Sequence, residues 1–159
     1  MSASKLELGN LTGRCQCESV QYRISGEPKS LYACHCRLCQ QQSSSAFGLS
    51  LIINDNQLVI ETGGEFIKKY ITRGDSGTEK HCHFCSECGT RLFHVTANGT
   101  GWCSLKAGLL DNIHELVPVA HIWTNSALPW LELGNARFIC IEENPDASHE
   151  LERRWHDAL

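Results

Sequence analysis

Cys34-His35-Cys36-Arg37-Leu38-Cys39 sets three thiols within one short run, flanked by Cys15-Gln16-Cys17 upstream and Cys85-Ser86-Glu87-Cys88 downstream. Thiols at such local spacings form a metal-ligand pattern before they form anything else. Four thiolates close a tetrahedral structural zinc, and three leave a zinc with an open position. The clustered cysteines divide naturally into one set of each kind.

The rest of the composition fits a metal-stapled domain. The chain has 159 residues, of which 42% are hydrophobic, so it is expected to form a single domain with a real but lean core. Its formal net charge is −4, with lysines and arginines scattered, which argues against a nucleic-acid partner. Apolar runs such as residues 47–53 are too short to cross a bilayer. Met1 to Lys5 is followed by Leu6-Glu7-Leu8 rather than an apolar stretch, so no signal peptide is read there. The expectation is a cytoplasmic protein with no membrane partner. In a reducing compartment ten cysteines point to metal rather than to disulfides.

Along the chain, strand signals dominate. Val20-Gln21-Tyr22-Arg23-Ile24 alternates with period two. Residues 31–33 read as a short strand delivering Cys34, and 38–45 as a short helix. A strand over 46–53, a tight turn at Asp55-Asn56 and a strand over 57–61 read as a hairpin. Further strands are expected at 65–72, 79–84, 91–96, 102–107, 117–124 and 136–141. Arg73-Gly74-Asp75 reads as a plain turn. Cys85 to Thr90 has the shape of a zinc knuckle, with Gly89 supplying a positive φ just after the second thiol. At the C-terminus, Asn144 as cap, Pro145 at the first turn, and Ala147, Leu151, Trp155 and Leu159 at spacing four predict an amphipathic helix over about 145–157. The fold class is mainly β with short helices.

Two ligand assignments satisfy the spacings. A zinc ribbon would pair Cys36 and Cys39 with Cys85 and Cys88. The other joins Cys15, Cys17, Cys85 and Cys88 in a closed site and leaves Cys34, Cys36 and Cys39 as an open one. Spacing favours the second because it uses every clustered cysteine. A thioredoxin-like site is weaker without a βαβ pattern. A zinc deaminase lacks its downstream Pro-Cys-x-x-Cys.

The three cysteine elements in this order, with Phe84 to Thr90, Pro118-Val119-Ala120-His121-Ile122-Trp123 and Pro129-Trp130, resemble the glutathione-dependent formaldehyde-activating enzyme family, also called the GFA or CENP-V domain. The resemblance covers roughly residues 10–135. It implies an Mss4-like fold of antiparallel β-sheets and two zinc ions per chain. A structural zinc would lie on Cys15, Cys17, Cys85 and Cys88, and a second zinc on Cys34, Cys36 and Cys39. The activity implied is a carbon–sulfur lyase that condenses glutathione with formaldehyde to S-hydroxymethylglutathione.

The chemistry is consistent with that implication. Zinc held by three thiolates has a net charge of −1, so it is a weak Lewis acid that accepts a soft external thiol readily. The expected partners are therefore a small-molecule thiol, such as glutathione, and an aldehyde. The competing reading is a non-catalytic interaction module in which the second metal is structural. Among other residues, His35 is a candidate proton shuttle, although neighbouring side chains on an extended segment point opposite ways. Arg37 is a candidate for meeting an anion. His121 reads as a core histidine, Trp123 and Trp130 as core or pocket wall, and Cys82, Cys103 and Cys140 as buried thiols.

Overall fold

Alternation along the strands decides which side of the molecule is core and which is site. The structure, a computed structural model, describes residues 8–134, 138–145 and 148–158. Its strands are β1 (Asn10–Arg14), β2 (Gln21–Ser25), β3 (Ser30–Cys34), β4 (Gly48–Asn54), β5 (Leu58–Thr62), β6 (Ile67–Arg73), β7 (Glu79–Cys85), β8 (Arg91–Thr96), β9 (Trp102–Lys106), β10 (Ala120–Ile122) and β11 (Ile139–Ile141). Two helices, α1 (Arg37–Ser43) and α2 (Ser148–Asp157), complete the set among the described residues. The fold is mainly β, with a C-terminal helix, as expected.

The strands form a three-stranded sheet in the order β1-β2-β5 and an eight-stranded sheet in the order β11-β10-β3-β4-β9-β8-β7-β6. Pairings are antiparallel except around β10, which runs parallel to both β3 and β11. That placement sets Ile122 beside Cys34 and His121 beside Ala33.

On one face of the large sheet, Leu31, Leu49, Leu51, Ile53, Phe93, Val95, Cys103 and Leu105 pack with Leu11, Tyr22 and Ile24 of the small sheet. This is the main core, and its period of two is that of a half-buried strand. The opposite face reads differently. Ser30, Ile52, Ser104 and His94 lie in one row across four strands, and Tyr32, Ser50 and Lys106 in the next. Ser30, Ser50 and Ser104 are buried although polar.

Some expectations shift. The 46–61 hairpin does not form, because β4 is flanked by β3 and β9 while β5 pairs with β2 in the other sheet. Between them Asp55–Gln57 makes a 3-10 turn closed by a capping box, in which the Asn54 backbone N–H donates to Gln57 Oε1 at 2.7 Å. That turn redirects the chain instead of reversing it. The strand expected at 117–124 shortens to Ala120–Ile122, and the one expected at 136–141 is seen as Ile139–Ile141, its start at residues 136 and 137 lying outside the described residues.

The terminal helix is seen from Ser148, and Pro145 stands before it. Ala147 and Leu159 lie outside the described residues. Leu151 and Trp155 bury the helix face, each 1% exposed, Leu151 against Ala120 and Ile122 and Trp155 in the main core. Trp155→Ala is expected to cost about 3–5 kcal/mol, the usual range for truncating a buried aromatic. Urea denaturation measures it, with the unfolding midpoint falling at an unchanged slope.

Candidate functional site

The first cluster joins the two sheets. Cys15 and Cys17 sit in the turn between β1 and β2, while Cys85 ends β7 and Cys88 lies in the turn that leads to β8. All four Sγ atoms lie within 4.8 Å of one another. Cys17 Sγ is 3.5 Å from Cys15 Sγ and 3.9 Å from Cys85 Sγ. Those separations are too long for disulfides. They match the edge, about 3.8 Å, of a tetrahedron of sulfurs around zinc at about 2.3 Å.

Local hydrogen bonds shape both turns. The Val20 N–H donates to Cys15 Sγ at 3.3 Å, and the Gly89 N–H to the Cys85 carbonyl at 2.8 Å. Gly89 takes the positive φ of 74° that the knuckle requires. Thr90 Oγ1 bridges the two arms, accepting from the Gln16 N–H at 3.2 Å and lying 3.1 Å from Cys88 Sγ. Against burial, which raises it, hydrogen bonds with Thr90 and Cys17 hold the Cys88 thiol down to about 6.

The second cluster comes from one segment. Cys34 ends β3, Cys36 precedes α1 and Cys39 lies in its first turn. Their three Sγ atoms are also within 4.8 Å of one another, and all three residues are buried. Gly48 of β4 permits this, since a Cβ there would stand 3.2 Å from Cys39 Cβ. Hydrogen bonds with Cys34 and then Cys39 pull the Cys36 thiol far down, while the same contact with Cys36 pushes Cys34 far up. Ionisation is thus favoured at Cys36 over Cys34, and a divalent cation would displace the protons the thiols keep. Both donor sets fit a soft-tolerant metal such as zinc. Among the described residues no fourth His, Cys, Asp or Glu joins the three thiols.

His35 points away from the thiols on either side of it. It is fully buried beside the Phe47 ring, and its Nε2 lies 2.9 Å from Nδ1 of His121, whose own ring meets Phe138 edge-on. Burial lowers the pKa of both imidazoles, so they share one proton as neutral rings. Gln40 Nε2 donates to the His35 carbonyl at 2.8 Å and to that of Ser126 at 2.9 Å. Arg37 is exposed, its Nη1 donating to Gln40 Oε1 at 2.9 Å. Cys82 and Cys103 are buried outside both clusters. Cys140 is exposed, which corrects its expected burial: it stands on the terminal strand β11, where only β10 pairs with it. Trp130 is 70% exposed and so belongs to neither core nor pocket.

A cavity of about 610 Å³ runs over the polar face of the large sheet and reaches Cys36. Tyr32, Ile52, Trp102, Trp123 and Leu151 supply apolar wall, while Ser30, Lys80, His94 and Ser104 supply polar groups. Asn144 and Pro145, expected only to start a helix, line it as well. Sequence reasoning did not single out His94, Ser104 or Lys106. The available signal was the alternation of β9, where Trp102, Ser104 and Lys106 share the face opposite Cys103 and Leu105.

The two clusters are expected to respond differently to mutation. Cys85→Ser should remove one metal equivalent and lower stability by several kcal/mol, because it opens the cluster linking the sheets. Cys36→Ser should remove the other equivalent and leave the melting temperature within a few degrees of wild type. Metal analysis paired with thermal denaturation reads both.

Comparison with known proteins places this arrangement. Residues 10–126 match the family described as glutathione-dependent formaldehyde-activating enzyme. An uncharacterized lyase of Schizosaccharomyces pombe is 25% identical over 134 residues, which are 84% of this chain and 80% of that protein. The crystal structure of a Rhodobacter sphaeroides protein superposes with a TM-score of 0.51 at 18% identity, covering 64% of this chain and 88% of that one. That last likeness concerns the fold alone. The matched span contains every thiol of the two clusters, and the chain belongs to the glutathione-dependent formaldehyde-activating enzyme family.

Proposed function

We propose that this chain is a zinc-dependent carbon–sulfur lyase that adds glutathione, or a similar thiol, to formaldehyde or another small aldehyde. The observation that carries the reading is the three-thiol cluster itself: buried, without a fourth protein ligand among the described residues, and open through Cys36 to a large cavity. Family membership and the lyase name of the yeast relative support it. The ten free cysteines suit the cytoplasm, where we place the protein.

Cys34, Cys36 and Cys39 would hold the reactive zinc, and Cys15, Cys17, Cys85 and Cys88 a structural one. Zinc bound at the open site supplies a fourth position at which an external thiol is kept as thiolate at neutral pH. The chain does the rest. Its cavity volume of about 610 Å³ falls within the range of small-molecule sites, enough for a peptide-sized thiol with an aldehyde beside it. Lys29 and Lys80 on the wall, against Asp75, give the cavity cations with which to meet carboxylates. Tyr32, Trp123 and Leu151 pack with the three cysteines and limit water around the sulfur. The reaction forms one S–C bond and turns the carbonyl into a hydroxyl, giving a hydroxymethyl thioether.

Cys36→Ser is expected to reduce thiol-dependent formaldehyde consumption to the uncatalysed rate. Exchange NMR of glutathione with formaldehyde reads the adduct directly. Undiminished catalysis by the variant overturns the proposal. Wild-type protein with metal at both clusters and no acceleration for glutathione or other small thiols would favour the interaction-module reading.

A further inference from the structure

The cavity holds polar groups that the thiol cluster does not use. His94 and Ser104 face each other across β8 and β9, in register, and both line the cavity that Cys36 opens into. Directly opposed residues in an antiparallel pair bring their side chains within about 5 Å on one face. Ser104 is 8% exposed, and its Oγ is buried without a hydrogen-bond partner. An unpaired hydroxyl inside a protein costs free energy unless something occupies the space in front of it.

His94 is held from behind. Lys106 Nζ lies 3.3 Å from His94 Nδ1. Burial lowers the Lys106 pKa, and the nearby thiols of Cys39 and Cys34 oppose that shift. In its ordinary ammonium form a lysine can only donate, so at this contact Nδ1 is the acceptor and the hydrogen of the neutral ring lies on Nε2. Burial, and then the Lys106 charge, keep that ring neutral. No second hydrogen bond of His94 is found among the described residues, and its Nε2 is not among the orphaned buried atoms, so it faces the cavity.

We propose that His94 Nε2–H and Ser104 Oγ–H are the donor pair that receives the carbonyl oxygen of the electrophile, with Lys106 as the positioning residue that sets the His94 tautomer. The inference rests on the thiol–aldehyde reading and adds the residues that handle the oxygen. As sulfur attacks, the S–C bond forms and the carbonyl π pair moves onto oxygen. His94 Nε2 gives that oxygen its proton while Nδ1 takes one from Lys106, leaving a neutral imidazole and a neutral amine. Solvent reprotonates His94 at Nε2 and the Nδ1 proton returns to Lys106, which restores the resting pair and balances the proton the thiol released on becoming a thiolate. Donors aimed at the developing charge, rather than at the substrate at rest, are what lower the barrier.

The test uses full-length metal-loaded protein. His94→Ala is expected to lower kcat for adduct formation about a hundredfold and Ser104→Ala about tenfold. Metal content and thiol affinity should stay unchanged in both, and His94→Gln should recover part of the loss. A second readout needs no turnover: nitrogen-15 NMR should show His94 as the neutral Nε2–H tautomer, and Lys106→Met should abolish that preference. Adduct formation in His94→Ala and Ser104→Ala within about twofold of wild type overturns the inference and spares the thiol–aldehyde reading. An Nδ1–H tautomer or an imidazolium at neutral pH overturns it too. A wild-type protein that forms no adduct overturns both.

Discussion

Three sulfurs buried within 4.8 Å of one another cannot all be ionised unless positive charge stands beside them. Repulsion between like charges at that distance is severe where water is excluded. Hydrogen bonds from its neighbours favour ionisation at Cys36 and oppose it at Cys34. The surroundings answer the same demand. Lys80 pulls the Cys36 thiol down, and Lys106 does the same for Cys39. No carboxylate pairs with Lys106 among the described ion pairs, so the thiols are its countercharge. A site that already expects a divalent cation and carries two further amines is arranged for net negative charge to arrive, as an incoming thiolate would bring.

That demand also explains why one face of the large sheet is polar. A sheet with both faces apolar would bury Cys34, Cys36 and Cys39 in a medium that raises thiol pKa values and keeps them inert. Here the face opposite the main core carries serines, Tyr32, His94 and Lys106, then a cavity, and only at its edge the cover of Leu151 and Trp123. Burial and polarity coexist because the strands alternate: β4 and β9 build the core with one set of residues and the site floor with the residues between them.

The cysteine pattern was legible in the sequence because metal ligands must be local in pairs or triplets, and local spacing survives in a linear string. Strand existence was legible for the same reason, since period two is a local property. Pairing partners were not. The chain from β4 to β5 looks like a hairpin in sequence, yet three residues of capped 3-10 turn send β5 to another sheet, a choice made by the core rather than by the turn. His94, Ser104 and Lys106 stayed hidden because they meet through register between strands, which no spacing along the chain records. His121 was read as a core histidine, and only the parallel pairing of β10 with β3 brings it to His35.

The same distinction between local and distant ligands separates the two clusters in what they do for the fold. Cys17 and Cys85 meet across 68 residues of chain and tie one sheet to the other. Closing a loop of that length removes much of the freedom of the unfolded chain, and the gain grows with the logarithm of loop length. Cys34, Cys36 and Cys39 sit on the last residue of one strand and the first turn of the next helix, so linking them closes almost no loop. The fold gains little from filling that second cluster, and its ligands are already held by β4, β10 and α1 packing. A cluster whose geometry the fold enforces but whose occupancy the fold does not need is free to exchange its fourth partner, which is the property that thiol chemistry at this position requires.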